Sequence, residues 1–366
     1  MEWIATASFG LEGVVKRELQ DLSLTAQAVN GGVRFEGTAE EAFRANLWLR
    51  CADRVLLIVG EGEATTFEAL FEFIRALPWE NWLPQDAKFP VTGQCARSQL
   101  MSVRDVQAIS KKAVAERLKQ RYKTNWMAET GAEYAIHVAI HQNQVRVTVD
   151  ASGDALNRRG YRTWNGEAPL RETLAAALVA LSPWRPGQPL HDPCCGTGTI
   201  LIEAAFRQAN RAPGLTRPFA MEQWHFADAA RCRRIREESK GLFDPRQVRD
   251  ISGSDVDPQA LTLFEKHLRQ AGLQGRIRMF EKDLRDLPPF PPDTCVITNP
   301  PYGERLGGKK EAETLYRQMR KLETQSAASR VCVLTSNPAF ERLYGKRATK
   351  KRRLYNGRLE CEYLIF

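Results

Sequence analysis

Thr294-Cys-Val-Ile-Thr-Asn-Pro-Pro-Tyr302 is the stretch on which the reading of this chain turns. Cys295, Val296 and Ile297 form a short apolar run of the kind that fills a strand buried on both faces. Asn299, Pro300, Pro301 and Tyr302 then stop it. A proline cannot donate to a ladder and holds the residue before it extended, so this turn is rigid. The Asn299 side-chain oxygen and the Pro300 carbonyl are two fixed acceptors, and Tyr302 supplies an aromatic face. Two acceptors that take both hydrogens of an exocyclic base amine draw its nitrogen towards a tetrahedral, nucleophilic shape. A flat base can meanwhile stack on the tyrosine ring, as flipped bases do. A strand ending in a Pro-Pro turn is the bland alternative, and the segments upstream decide between the two.

Upstream lies Pro189-Leu-His-Asp-Pro-Cys-Cys-Gly-Thr-Gly-Thr199, which runs into a helical segment, Ile200–Ala209. Strand, glycine loop and helix are the layout of a nucleotide site in a doubly wound fold. Gly196 and Gly198 let a ligand approach the backbone. The loop is neither G-x-G-x-x-G nor a P-loop, so it is not equipped for a pyrophosphate. Asp192, just ahead of it, suits a cationic ligand. S-adenosylmethionine has a sulfonium and an ammonium group and no phosphate. Ile251-Ser-Gly-Ser-Asp-Val-Asp-Pro258 supplies a second strand tipped by an acid, Asp255, placed for ribose hydroxyls, with Asp257 capping the helix 259–271. A third strand, Arg276–Glu281, is followed by Asp283, placed for the adenine amine. Each acid alone reads as a cap or a solvated loop residue. Three of them after successive strands, ahead of Asn-Pro-Pro-Tyr, read as a site. Downstream come a strand, Arg330–Thr335, a basic region from Arg342 to Arg353, and a hairpin whose arms, Lys350–Tyr355 and Arg358–Phe366, flank Asn356-Gly357.

The front of the chain carries no convergent polar cluster. Residues 1–60 read as strand, helix, strand, helix, strand, an α+β unit whose default role is structural or docking. Residues 61–162 add a helix at Thr66–Leu77, a strand near Phe89–Thr92, a long helix from Val103 to about Tyr122, and a hairpin of Tyr134–Ile140 and Gln144–Asp150. The long helix displays Arg104, Lys111, Lys112, Arg117, Lys119 and Arg121, followed by Lys123. That pattern reads equally as a solvated face or as a phosphate contact. A Gly-punctuated basic tail, Gly153-Asp-Ala-Leu-Asn-Arg-Arg-Gly-Tyr-Arg162, places the domain boundary near Gly160–Asn165. Within 210–250, Arg211, Arg217, Trp224, His225, Phe226, Arg231, Arg233, Arg234 and Arg236 interleave charge with aromatics. This is either a single-stranded RNA surface or a helical insertion packed on the sheet edge.

Lys+Arg totals 53 against 44 Asp+Glu, a net charge of +9, which suits a polyanionic partner. The chain carries no run long and apolar enough for a membrane span and no signal peptide at Met1-Glu2-Trp3. Its eight cysteines are scattered without C-x-x-C, so no metal site is expected and reduced cytoplasmic thiols are. Cys194, Cys195 and Cys295 are candidates for nucleophilic attack at a pyrimidine C5, but their placement in the loop and the strand favours packing.

The tail residues Gly153, Leu156, Arg159, Gly160, Tyr161 and Arg162 resemble those of THUMP-containing RNA modification enzymes. Asp-Pro-Cys-Cys-Gly-Thr-Gly-Thr, Gly-Ser-Asp-Val-Asp-Pro and Asn-Pro-Pro-Tyr-Gly-Glu-Arg, in that order, resemble the signatures of class I methyltransferases that modify amino groups. Together they resemble the bacterial large-subunit (23S) ribosomal RNA guanine-N2 methyltransferases, often labelled N6-adenine-specific DNA methylases. The resemblance implies an α/β fold: a class I methyltransferase sheet with a terminal antiparallel hairpin (163–366), preceded by a ferredoxin-like unit (1–60) and a THUMP RNA-binding domain (61–162). It implies S-adenosylmethionine as cofactor and large-subunit rRNA as partner. Carried over by position, Asn299, Pro300, Pro301 and Tyr302 bind the amine, and Asp192, Cys194, Gly196, Gly198 and Thr199 form the cofactor loop. Asp255 takes the ribose and Asp283 the adenine, while Thr173, with Arg171 and Glu172, sits at the methionine end. Some members carry a second methyltransferase domain downstream; nothing follows Phe366 here, so a second modification is not expected of this chain. The nearest rivals are adenine-N6 or transfer-RNA guanine methylation. An RNA-binding ribosome assembly factor with an idle cofactor fold is the rival of another kind.

Overall fold

The computed structural model describes residues 1–162, 170–302, 308–324 and 330–366. Its front half is one seven-stranded sheet, ordered β2-β3-β1-β4-β7-β6-β5. These strands are β1 (Glu2–Thr6), β2 (Ala26–Val29), β3 (Gly32–Glu36), β4 (Arg54–Glu63), β5 (Val91–Ala96), β6 (Ile136–His141) and β7 (Gln144–Asp150). β1 to β4, with helices Glu12–Asp21 and Ala39–Trp48 between them, give the βαββαβ order of a ferredoxin-like unit. β2 is absent from the sequence reading: Ala-Gln-Ala-Val at a sheet edge has neither the β-branched content nor the alternation that marks a strand. β4 pairs antiparallel with both β1 and β7, so its ten residues join the two front units, with a register shift between Ile58 and Gly60. The boundary expected at residue 60 falls inside this strand.

The back half is a second seven-stranded sheet, ordered β10-β9-β8-β11-β12-β14-β13. Its strands are β8 (Leu190–Asp192), β9 (Ile251–Asp255), β10 (Arg278–Glu281), β11 (Cys295–Thr298), β12 (Arg330–Thr335), β13 (Lys350–Asn356) and β14 (Leu359–Ile365). β8 to β12 are parallel, and β14 enters antiparallel beside β12, with β13 at the edge. This is the expected sheet closed by a hairpin. All four residues of β11 are buried, as the Cys-Val-Ile run requires. The chain runs from β8 outward to β10, then returns to β11 on the other side. A crevice therefore opens above the carboxyl ends of β8 and β11. The helix after the tail spans Glu172–Leu181. Gly303, Glu304 and Arg305 of the Asn-Pro-Pro-Tyr-Gly-Glu-Arg signature lie outside the described residues, as does part of the boundary near Gly160–Asn165.

The basic stretches divide between buried arginines (Arg159, Arg211 and Arg217) and side chains that stay at the surface. Arg159 and Glu203, on the helix Thr199–Gln208, form an ion pair at 3.4 Å with side chains 1% and 0% exposed. Arg159 also donates to the Leu156 carbonyl at 2.6 Å and to that of Arg50, and the Tyr161 hydroxyl donates to Glu203. Arg162 pairs with Glu172 and donates to Thr199. The tail is therefore a connector anchored between the two halves by Leu156, Arg159 and Tyr161, while Asp154, Arg158 and Gly160 stay exposed. The segment 210–250 follows the same logic, and the packed insertion is the reading that holds for its aromatics. Trp224 stacks on Tyr134 of the front half at 5.3 Å, and Phe226 meets Trp82 edge-on. Arg211 and Arg217 are buried, and Arg236 pairs with Glu222. Arg231, Arg234 and Lys240 stay more than half exposed on the helix Ala229–Gly241. On the helix Val103–Tyr122, Lys111 pairs with Glu129, and Arg117 with Glu80.

Breaking a buried pair leaves an uncompensated charge, which costs about 3–5 kcal/mol. Urea unfolding of Arg159→Met should show a loss of that size, and adding Glu203→Met should recover part of it. An additive double variant would contradict the pairing.

Candidate functional site

Across the carboxyl ends of β10, β9, β8 and β11 lies a cavity of about 740 Å3, of a size that takes a drug-sized ligand. Seven of the twelve expected site residues line it: Cys194, Asp255, Asp283, Asn299, Pro300, Pro301 and Tyr302. Arg171 lines it as well.

Asp255 organises the glycine loop. Its carboxylate accepts the Gly196 N–H at 2.8 Å and the Asp257 N–H at 3.1 Å. Asp257 in turn caps the helix Pro258–Gln270 through the Gln259 N–H. A Cβ on Gly196 would meet nothing within 4 Å, so the loop leaves open space at that point. Gly198 has a different reason to be glycine: at φ +80°, a Cβ would lie 2.1 Å from the Phe264 ring. Asp283 accepts the Arg285 N–H and the Arg285 guanidinium, which holds its carboxyl below the usual carboxylate range.

Asp192, Gly196, Gly198, Thr199 and Thr173 are not in the lining. Asp192 is 1% exposed beneath the loop, where it accepts the Cys194 N–H at 3.1 Å. Burial pushes its carboxyl up to about 7. Thr199 accepts from Arg162, and Thr173 donates to Asp53 of the front half at 3.3 Å. Burial first, then Asp192 and Asp255, raises the Cys194 thiol well above its ordinary range, which keeps it protonated and unsuited to nucleophilic attack.

At the Asn-Pro-Pro-Tyr turn, the Tyr302 hydroxyl donates to Asn299 Oδ1 at 2.5 Å, and the Tyr316 hydroxyl donates to the Pro301 carbonyl at 2.7 Å. No described residue donates a hydrogen bond to the Pro300 carbonyl. Burial raises the Tyr302 phenol far above its normal range, so it acts as a donor and fixes the Asn299 amide. Several lining residues are missing from the sequence reading. Val256 follows Asp255, and its 50% exposure, unusual for valine, could have drawn notice only in the fold. Glu311, Thr314 and Leu315 come from the helix Lys309–Met319, and Asn356, Gly357 and Leu359 from the terminal hairpin. No sequence signal links those two segments to strand tips so far away in the chain. Among the described residues, no His/Cys/Asp/Glu group could hold a metal ion, and no helix is long and apolar enough to cross a membrane.

Three family models match the chain. An RlmL ferredoxin-like domain covers residues 2–56, a THUMP domain 64–150, and an RMKL-like methyltransferase domain 159–365. The chain belongs to the RMKL-like methyltransferase family. It is 43% identical over 364 residues to the Bacillus subtilis protein named "Putative RNA methyltransferase YpsC", covering 98% of this chain and 94% of that one. It is 35% identical to the ribosomal RNA large subunit methyltransferase K/L of Syntrophotalea carbinolica over 100% of this chain but 53% of that one. The chain thus spans about half the length of the K/L relatives it matches. Among solved structures, it resembles a predicted N6-adenine-specific DNA methylase from Listeria monocytogenes (TM-score 0.94, 42% identity, 100% and 95% coverage). It also resembles SMU.472, a methyltransferase structure complexed with SAH (TM-score 0.95, 39% identity, 100% and 97% coverage). The cavity of this RMKL-like chain fits the same class of ligand. It offers carboxylates (Asp255, Asp283 and Glu311) and open backbone at Gly196, and among the described lining residues the cations are Arg171 and Arg285, the latter paired with Asp283.

The raised Asp192 carboxyl has a consequence for stability. A folded pKa near 7, above the usual 3.8, means that the folded state holds this proton more tightly than the unfolded state. The stability it contributes is greatest below about pH 4 and declines as pH rises towards 7, by up to roughly 4 kcal/mol. Urea unfolding of Asp192→Asn at pH 5 and pH 8 should show this component removed, with the variant gaining on the parent at pH 8. An unchanged pH difference would refute it.

Proposed function

We propose that this chain transfers a methyl group from S-adenosylmethionine to an exocyclic base amine in RNA, most specifically guanine N2 of 23S rRNA. The observation that carries this reading is one cavity lined both by the strand-tip acids and by Asn299, Pro300 and Tyr302. Support for RNA comes from the THUMP match and from the K/L relatives, whose names specify large-subunit rRNA. Support for the cofactor comes from the strand-tip carboxylates Asp255 and Asp283 in the lining and from the SAH complex of a 39% identical structure.

When bound, S-adenosylmethionine supplies an electrophilic methyl group on a sulfonium. Asp255 receives the ribose hydroxyls while keeping the glycine loop in place through the Gly196 N–H. Asp283, already oriented by Arg285, faces the adenine. Asn299 Oδ1 has one lone pair committed to Tyr302 and a second left for the substrate amine. The Pro300 carbonyl takes the other amine hydrogen. With both hydrogens held, the nitrogen lone pair is turned towards the methyl group, and positioning supplies much of the rate. A new N–C bond forms as the C–S bond breaks, and the nitrogen then releases its extra proton to water. No general base is required, which agrees with a turn lacking His, Glu and Asp.

Asn299→Ala should lower methyl transfer by about 10²–10³-fold, the cost of removing one well-placed polar group from a transition state. Tyr302→Phe should lower it less, because the amide loses only its tether. The assay is tritiated-methyl transfer onto total RNA and DNA from a strain lacking the gene, followed by nucleoside analysis. N2-methylguanosine in 23S rRNA is the expected product. N6-methyladenosine would move the assignment to adenine, and a fully active Asn299→Ala protein would refute the assigned role.

A further inference from the structure

We propose that Phe9, Tyr355 and Arg353 form a second nucleotide subsite at the mouth of the cavity, which holds an unpaired RNA base and its phosphate beside the base being methylated. The inference rests on the RNA reading above and gives the front half a part in substrate recognition. Phe9 lies in the loop between β1 and the helix Glu12–Asp21 and is 52% exposed. Its ring meets that of Tyr355 edge-on, with centroids 6.0 Å apart and planes at 79°. The Arg353 guanidinium lies 5.4 Å from the Phe9 ring. Asn356 and Gly357, which directly follow Tyr355, line the cavity, so the aromatic pair continues its rim.

The loop is fixed against that rim on two sides. At Gly10, φ is +87° and a Cβ would sit 2.7 Å from the Arg353 carbonyl, so loop and hairpin touch backbone to backbone. Ser8, next to Phe9, donates to one oxygen of Asp53 at 3.3 Å, and Thr173 donates to the other at 3.3 Å. Two residues before Thr173, Arg171 lines the cavity. The front loop, the cavity wall and the hairpin are therefore held in one geometry, and the platform is formed before any RNA arrives.

A lone exposed phenylalanine is ordinary. Here an aromatic pair and a guanidinium stand together; the Tyr355 hydroxyl donates to Glu360 at 2.9 Å and Glu362 lies opposite Arg353 in the hairpin, so attraction for a phosphate rests on the hairpin arginines. Arg353 makes no ion pair among the described residues, whereas its neighbour Lys351 is taken by Glu341. Arg352 and Arg358 are exposed close by on the same hairpin. Base stacking on an aromatic face, with a cation for the phosphate, is how unpaired RNA is held. Extruding a target base strips its neighbour of a stacking partner, and this platform offers one back.

The test is filter binding of 23S rRNA fragments from a strain lacking the gene, run on the full chain. Phe9→Ala should weaken binding roughly 5- to 100-fold, the range found when one stacking ring is lost. Phe9→Trp should restore it, and calorimetric SAH affinity should not move. Arg353→Leu should weaken binding and reduce the salt slope by about one. Where methyl transfer is measured, KM for RNA should rise with the binding loss. Parental affinity in Phe9→Ala, a parallel loss of SAH binding, failure of tryptophan to rescue, or no RNA binding by the parent chain would each overturn the subsite. If Phe9→Ala weakens RNA binding while the parent methylates no RNA, the subsite stands and the base-amine reading falls.

Discussion

A parallel sheet that grows outward from its middle has to leave its central strand ends uncovered. β8 and β11 lie side by side, but the chain leaves β8 towards β9 and β10 and leaves β11 towards β12. No crossover can cap the space above both. The residues proposed to bind cofactor and amine gather at that gap. The glycine loop follows β8, Asp255 ends β9, Asp283 follows β10, and the Asn-Pro-Pro-Tyr turn follows β11. One topological constraint thus brings into a single cavity residues that lie more than a hundred positions apart.

What surrounds the gap is stiff, because it is anchored from behind. Asp255 bonds the loop backbone, Tyr302 and Tyr316 hold the turn, and buried ion pairs around Arg159 and Arg162 tie the tail to the helices beneath. Stiffness suits a reaction driven by alignment, where a misplaced acceptor forfeits the gain from orientation. The front half shares in this. Trp224 and Phe226 fasten the insertion to it, and Asp53 reaches the helix at the rear of the cavity wall. The two halves share one apolar core, running from Trp3 to Tyr363.

The sequence was most legible where local spacing matches the architecture. A loop rich in glycine, an acid after each strand and a proline-stiffened turn each occupy fewer than a dozen residues, so their pattern survives without knowledge of the fold. Legibility failed where the deciding partner was remote. Basic residues interleaved with aromatics describe an RNA surface and a buried joint equally well, and only the neighbours Tyr134, Trp82 and Glu222 separate them. β2 escaped notice because four weakly patterned residues at an edge carry almost no signal. The front half looked empty of chemistry because Phe9 gains meaning only from Tyr355, almost the whole chain away. Gly198 was legible as a required glycine but not for its reason, since the Phe264 ring that demands it sits on a later helix.

The claim beneath all of this is that methyl donor and amine acceptor meet in one cavity. A crystal structure with sinefungin, whose amine stands where the cofactor carries its methyl group, tests it most directly. The account predicts the adenosyl group over Asp255 and Asp283, with the ligand's amine directed at Asn299 Oδ1 and the Pro300 carbonyl. A ligand bound elsewhere, or bound there with its amine turned away from Asn299, would contradict it.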